Sequence, residues 1–275
     1  MHHDIIVIGG SYAGMAAALQ LLRARRSVLV IDAGQRRNRT AHHAHGFLGQ
    51  DGVPPGTIAA TARQQLSAYP TLTWLDAHAL TATGSLDVFR VTTSDGGTHQ
   101  GRRILLATGV ADQLPAVDGL AERWGTAVFH CPYCHGYELD QGRIGIVGAG
   151  PLSVHQAELL TEWGNVTLLV NGALQLDDAA RALLSGRGVA IEEAPIDRIE
   201  GHADVVLADG RRLVFAAVTA TRTHPVLSPG RGHGLVLEET PMATKVRIEQ
   251  GTMEQTHTHR QIFACGRPTN RTDRA

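Results

Sequence analysis

Twice in 275 residues a short run of β-branched residues ends in a glycine turn that opens an Ala- and Leu-rich stretch. Ile5–Ile8 runs into Gly9-Gly10-Ser11-Tyr12-Ala13-Gly14, and Ile144–Val147 runs into Gly148-Ala149-Gly150-Pro151-Leu152-Ser153. An apolar run too short for a helix, stopped by glycine and followed by a 3.6-residue period, reads as strand, turn and helix. A second apolar run follows each: Val28–Ile31, which ends at Asp32, and Val166–Val170. The pattern predicts strands at Asp4–Ile8, Val28–Ile31, Ile144–Val147 and Val166–Val170, and helices at Tyr12–Arg25 and Leu152–Trp163. Two β-α-β openings confine the chain to the α/β class, with two Rossmann-like domains, each a doubly wound, three-layer arrangement.

The segments between them are less regular. Residues 33–56 are rich in Gly, Arg, His and Pro without a period, which predicts a long loop serving a ligand. A helix is expected at Thr57–Tyr69 and strands at Leu72–Leu75, Asp87–Thr93 and Arg102–Ala107, the last stopping at Thr108-Gly109. Pro115–Gly119 reads as a linker, Val189–Phe215 as short strands turning at Gly201 and Asp209-Gly210, and Gln261–Ala264 as a final strand. A net charge of −1 with no run of like charge leaves no footprint for nucleic acid or an acidic membrane surface. Four apolar residues ending in glycines are too few for a signal core or a bilayer span, so a cytoplasmic location is expected.

The chemistry gathers at three places. At the first glycine turn, backbone amides at a helix N-terminus can approach a pyrophosphate, and an acid closing the next strand can accept bonds from a ribose. Gly9, Gly10, Gly14 and Asp32 fit those roles, with Ser11 and Ala13 completing the turn; the alternative is a bare turn kept for packing. The second turn has Gly148, Gly150 and Ser153, but its strand ends at Asn171-Gly172 instead of an acid. Residues 171–180 hold Asp177 and Asp178 and no Lys or Arg, so NADPH is disfavoured, and nicotinamide binding stays open against a packing role.

Between the turns lies Cys131-Pro132-Tyr133-Cys134-His135. Two thiols spaced by two residues can close a small disulfide, and in a reducing compartment such a pair is catalytic or metal-binding more often than structural. The string also matches the attachment signature of c-type haem, which needs export, and His130 and His135 would complete a zinc set crowded into six residues. His135 can take a proton from a thiol and return it near neutral pH. Cys265 stands alone and reads as a buried apolar residue, and no metal is expected.

In order, the N-terminal glycine turn, Thr108-Gly109, the C-x-x-C and the second glycine turn resemble the low-molecular-weight thioredoxin reductase family over about residues 4 to 266. The string Cys-Pro-Tyr-Cys-His-Gly at 131–136, with the loop carrying Arg37-Asn38-Arg39 and His45-Gly46-Phe47-Leu48-Gly49, is similar to the branch that includes the gliotoxin-type dithiol oxidases. The resemblance implies FAD on the first domain, with Arg37, Asn38, His45, Thr108, Gly109 and Gly266 contributing to cofactor binding. It implies Cys134 beside the flavin, Cys131 facing the substrate, and His135 as acid–base partner. It further implies a homodimer, a FAD domain at 1–115 and 246–275, and an inserted dinucleotide-type domain at 116–245 that carries the C-x-x-C.

Ordinary family members have an acid at the position of His135 and a His-Arg-Arg phosphate grip in the second domain, neither of which is found in this sequence. Their final Ala-x-Gly-Asp is Ala264-Cys265-Gly266-Arg267 here, so the sequence predicts a truncated FAD motif lacking its last helix. Three expectations follow: a FAD-dependent thiol–disulfide oxidoreductase acting on a thioredoxin-like protein or a small dithiol or disulfide; an oxygen-dependent dithiol oxidase without nicotinamide; or a non-catalytic nucleotide-binding remnant.

Overall fold

The computed structural model describes residues 2–220 and the backbone of two further strands, Leu235–Glu239 and Thr244–Ile248. The expected strand at 261–264 and Gly266 lie outside the described residues. Backbone contacts divide the chain into two compact units. Among the described residues, 2–37, 56–111 and the two strands Leu235–Glu239 and Thr244–Ile248 belong to the first, and 38–55 and 112–220 to the second.

In the first unit β1 (His2–Ile8), α1 (Tyr12–Arg23) and β2 (Val28–Asp32) form the expected opening. They are followed by α2 (Pro55–Ser67), β3 (Leu72–Asp76), β4 (Ala79–Ser85), β5 (Val88–Thr93) and β6 (Thr98–Leu106). One six-stranded sheet results, ordered β3-β2-β1-β6-β5-β4. The first four strands are parallel and the last three form an antiparallel meander. The switch point beside β1, where the chain leaves for β2 on one side and β6 on the other, is where such sheets bind ligands. Strand β4 escapes sequence reading because Ala-Leu-Thr-Ala-Thr-Gly-Ser is mostly exposed and shows no buried alternation. It is an edge strand, held by its pairing with β5.

Alternation along the central strands separates two apolar faces. Val7, Val28 and Val30 pack with Met15, Ala18 and Leu22 of α1, whereas Ile6, Ile8, Leu29 and Ile31 face Ala77 and Val91 on the other side. Each Val, Leu, Ile or Met among them, fully buried, contributes about 1.5–3 kcal/mol against the entropy of ordering the chain.

The second unit contains β7 (Val128–Phe129), α3 (Pro132–His135), β8 (Gln141–Val147), α4 (Leu152–Leu160), β9 (Gly164–Leu169) and α5 (Asp178–Gly186). The short strands β10 (Ala190–Glu192), β11 (Ile196–Glu200), β12 (Asp204–Leu207), β13 (Arg212–Val214) and β14 (Ala217–Ala220) follow. Its main sheet is all-parallel, ordered β10-β9-β8-β14-β7, with a separate antiparallel sheet of β11-β12-β13. Ile144 and Ile146 of β8 pack with Ala157, Leu160 and Leu184 from the helices, while Val147 meets Val205, Leu207 and Phe215 on the opposite face. Helix on one face and antiparallel sheet on the other give the three layers. The fold class read from the two β-α-β openings is the one observed.

Close approach of α1 to its own turn makes Gly14 the packing glycine of the first unit, because a Cβ there would lie 1.8 Å from the Gly9 carbonyl oxygen. Gly14→Ala is therefore expected to destabilise the protein by about 1–3 kcal/mol, the usual range for overpacking. Urea unfolding followed by far-ultraviolet dichroism checks this; an unchanged midpoint would show that the helix can slide away from the turn at no cost.

Candidate functional site

In the first turn the Gly9 N–H donates to Ile31 O at 2.8 Å, which ties it to the end of β2. Gly9 has φ +102°, and a Cβ on it would stand 2.2 Å from Ala107 O and 3.2 Å from Thr108 N. The chain after β6 therefore passes directly beside the turn. Gly10 N–H donates to Asp32 Oδ1 at 3.0 Å, joining the glycine turn to the acid that closes β2. Ser11 is the N-cap of α1, yet its side chain makes no capping bond and the first turn has no acidic residue. The amides that open a helix have no intrahelical acceptors, so this end is suited to an anion. Glycines that leave no room for side chains, uncapped amides and a strand-end carboxylate together fit a dinucleotide pyrophosphate and ribose. Gly9, Gly10, Ser11, Gly14, Asp32 and Thr108 are thus brought together, with Ala13 packed inward and Gly109 (φ +67°) just beyond.

Sequence reading missed Trp74. Its indole edge would lie 2.6 Å from a Cβ on Gly10, and Arg63 stacks on its ring at 4.5 Å. Asp76 accepts from Trp74 Nε1 at 2.9 Å and from Arg63 at 2.9 Å, and these two bonds hold its carboxyl below the usual range. Its signal was an aromatic in the strand beside β2, which periodicity alone assigns to packing.

The second turn uses its own polar groups differently. Ser153 is fully buried, and its Oγ accepts from the Ala149 N–H at 3.1 Å, so the hydroxyl braces the turn. Gly148 allows the close approach of Val170 O, 2.6 Å from where a Cβ would stand, and Gly150 (φ +150°) faces open space. Asn171, where an acid would close β9, accepts from Ile196 N–H at 2.8 Å, and Asp177 caps α5 by accepting from Ala180 N–H at 2.8 Å.

The C-x-x-C follows β7. That strand pairs in parallel with β14, which pairs with β8, so the dithiol and the second glycine turn leave the same carboxyl edge, two strand spacings or about 10 Å apart. Gln156 of α4 donates to His130 O at 3.2 Å, and His130 Nδ1 lies 3.3 Å from Ala220 O. Both contacts fix the backbone immediately before Cys131. Pro132, pre-set in φ, opens the single-turn helix α3. Gly136 lets that turn approach Trp163, whose ring would be 2.4 Å from an added Cβ, and Tyr133 meets the same ring edge-on at 5.1 Å. Cys131 Sγ and Cys134 Sγ stand 3.0 Å apart, both half-buried. A covalent S–S bond is about 2.05 Å, so closure needs only a small movement.

His135 stacks on Phe129, ring centroids 5.1 Å apart and planes 14° apart. Nδ1 and Nε2 are both buried without a hydrogen-bond partner. Burial lowers its pKa below the ordinary value, helped slightly by the charge of His45 and opposed by the charges of Cys131 and Glu138 and by the Cys131 backbone. His45, read as a cofactor residue, lies with Asn38 in the second unit, while Arg37 closes the first unit's opening segment. Its imidazole stands 3.5 Å from carboxylate oxygens of both Asp51 and Glu138. Glu138 and Asp51 are two further residues that sequence reading did not single out. Among the described residues no group of three or more His, Cys, Asp or Glu is arranged to hold a metal, and no helix is long and apolar enough to cross a membrane.

Residues 3–270 match the pyridine nucleotide-disulphide oxidoreductase family. The chain belongs to that family. It is 31% identical over 247 residues to thioredoxin reductase tcpT of Claviceps purpurea, covering 74% of this chain and 77% of that protein. It is 36% identical over 185 residues to thioredoxin reductase aclD of Aspergillus oryzae, covering 63% of this chain but only 58% of the relative. An oxidoreductase from Agrobacterium tumefaciens, known from its crystal structure, is 49% identical, with a TM-score of 0.86 over 90% of this chain and 84% of that one. The protein is therefore a thioredoxin reductase-like oxidoreductase, and its family implies FAD and pyridine nucleotide.

Because burial holds the His135 pKa down in the folded protein, the unfolded chain binds a proton there more readily. Stability linked to this ring is complete above pH 6.5, the unfolded value, and is lost as pH falls from there through the lower folded value. Unfolding free energy measured between pH 7.5 and 5 should fall more steeply for the native protein than for His135→Asn. Equal slopes would mean that the ring is not desolvated.

Proposed function

We propose that this protein is a FAD-dependent thiol–disulfide oxidoreductase in which Cys131 and Cys134 form the redox-active pair. The 3.0 Å approach of the two sulfurs beside a buried, unpartnered imidazole carries the reading. FAD would be held at Gly9, Gly10, Ser11, Ala13, Gly14 and Asp32, with Arg37, Asn38, Thr108, Gly109 and Gly266 as further contacts. When bound, it supplies a two-electron donor or acceptor for the cysteine pair.

The chain's own residues account for the exchange. With the pair as a disulfide, a substrate thiolate attacks Cys131 Sγ; the Cys131–Cys134 bond breaks, its electron pair stays on Cys134, and a mixed disulfide forms at Cys131. A second substrate thiolate then attacks its partner sulfur in that bond, leaves as oxidised disulfide, and returns a thiolate to Cys131. Two electrons have passed to the protein, and the protons released by the substrate are taken up on the cysteines. Held neutral by burial near pH 7, His135 accepts a proton from an attacking thiol and can give it back. Run in reverse, the same steps reduce a thioredoxin-like protein or a small disulfide.

A second reading, oxidation of a small dithiol with oxygen as the final acceptor, is favoured by one observation. At the second turn the Ser153 hydroxyl, Asn171 and Asp177 are engaged within the protein, and the ribose-binding acid and phosphate-gripping arginines of a nicotinamide site are missing from this stretch. Gly148 and Ser153 then serve as packing instead of nicotinamide contacts, and Gly150 as the open bend of the turn. The reading carries with it the homodimer and the reducing, cytoplasmic compartment in which such a pair is catalytic.

Anaerobic addition of a small dithiol, NADH or NADPH to the flavin-loaded protein separates the directions. Bleaching by dithiol alone indicates the oxidase, bleaching by NADH the reductase, and no bleaching by any of them overturns both. In addition, Cys134→Ser should abolish a thiolate-to-flavin charge-transfer band and Cys131→Ser should preserve or strengthen it; equal loss in both would contradict the division of labour.

A further inference from the structure

Both ring nitrogens of His135 are buried and, beyond a favourable contribution from the Cys131 backbone, have no hydrogen-bond partner, which makes the ring a poor place to develop positive charge. Yet each transfer of a proton from a cysteine to this ring creates an imidazolium beside a thiolate. Something nearby must offset its desolvation. Phe129 covers one face of the ring and offers no charge.

Three titratable groups are close enough for their charge to act on it: Cys131 on its own turn and Glu138, which favour the charged ring, and His45 from the loop, which opposes it. Glu138 follows His135 by three residues. The helical turn of α3 passes through Gly136, which keeps right-handed helical angles (φ −70°, ψ −33°), into a 3-10 turn at Tyr137–Leu139. Residues three apart on a continuous helical path share a face. Glu138 is therefore directed to the side of the turn on which His135 lies.

The loop 38–55 holds that carboxylate. Ala44 and Val53 form a bridge, with Ala44 N–H donating to Val53 O at 3.0 Å and Gly52 N–H to Ala44 O at 2.9 Å. Inside this closed loop Asp51 Oδ1 accepts from Gly46 N–H at 2.8 Å and lies 3.5 Å from His45 Nδ1. The opposite nitrogen, Nε2, is 3.5 Å from Glu138 Oε1. Asp51, His45 and Glu138 thus form a line that ends one helical turn from His135.

We propose that Glu138, braced by His45 and Asp51, is a positioning residue that acts through His135: its carboxylate stabilises the imidazolium and so favours the thiolate–imidazolium form of the dithiol. This rests on the thiol–disulfide reading above and explains why a histidine can follow the second cysteine where ordinary family members carry an acid. In the latter an acid sits directly at that position; here the negative charge stands one turn further on and serves the ring.

The sign of the effect separates this role from simple proximity. A carboxylate acting directly on the thiols disfavours thiolate, so removing it would move the thiolate midpoint down. Acting through His135⁺ it does the reverse. The test is the pH dependence of iodoacetamide alkylation of the reduced full-length protein, with the modified cysteine identified by mass spectrometry. Glu138→Gln is expected to raise the midpoint by about half a pH unit or more, in keeping with a half-exposed carboxylate near a buried ring. Glu138→Asp, which keeps the charge on a shorter arm, should fall between the two and guards against a fault in folding. In a His135→Asn background Glu138→Gln should no longer raise the midpoint. An unchanged or lowered midpoint in Glu138→Gln, or the same rise without His135, would overturn the proposal while leaving the dithiol reading intact. Native protein whose Cys131 and Cys134 resist alkylation up to pH 8.5 would instead overturn the dithiol reading, and this inference with it.

Discussion

Parallel pairing places the carboxyl ends of neighbouring strands on one edge of a sheet, and both units are organised by what leaves that edge. In the first, β1 and β6 deliver the glycine turn and Thr108 side by side, while β2 delivers Asp32 to the Gly10 amide. In the second, β7 delivers the dithiol and β8 the other glycine turn, with β14 between them. Nothing in this requires specific side chains on the strands beyond an apolar alternation that buries both faces. The turns are the exacting part, because Gly9, Gly14 and Gly148 stand where a Cβ would overlap neighbouring backbone.

The second unit repeats the scaffold of the first but spends its polar groups differently. Asp32 at the end of β2 accepts from the Gly10 amide of its own glycine turn, whereas Asn171 after β9 accepts from Ile196, outside its turn. Ser11 leaves its helix end uncapped, whereas Ser153 accepts from Ala149 inside the turn. The first turn thus leaves its helix end without a side-chain cap and the second spends its hydroxyl on the turn itself, the contrast on which the proposed oxidase reading rests.

Much of this was legible from residues alone. Runs such as Val28–Ile31 and Ile144–Val147 declare themselves as strands by their β-branched residues, because burial on both faces leaves no polar positions. The glycine turns, Asp32, and the cysteine pair were visible by type and spacing. What escaped was non-local. Strand β4 exists through pairing with β5, and the two-residue β7 through pairing with β14. Glu138 and Asp51 gain meaning only because a loop far back in the sequence returns His45 to lie between them. No local pattern could place that contact. Likewise, the loop 33–56 reads as ligand-serving from its composition, and only the fold shows that its residues 38–55 group with the unit carrying the dithiol.

The proposed activity requires that Cys131 and Cys134 interconvert between dithiol and disulfide in the working protein. Its most direct measurement is mass spectrometry of peptides from the purified protein after oxidation in air and after reduction, with remaining thiols alkylated at each stage. Interconversion gives a peptide that contains both cysteines linked and two hydrogens lighter after oxidation, and both cysteines alkylated after reduction. Both cysteines alkylated in the oxidised sample, or either one linked to Cys265 instead, would contradict it.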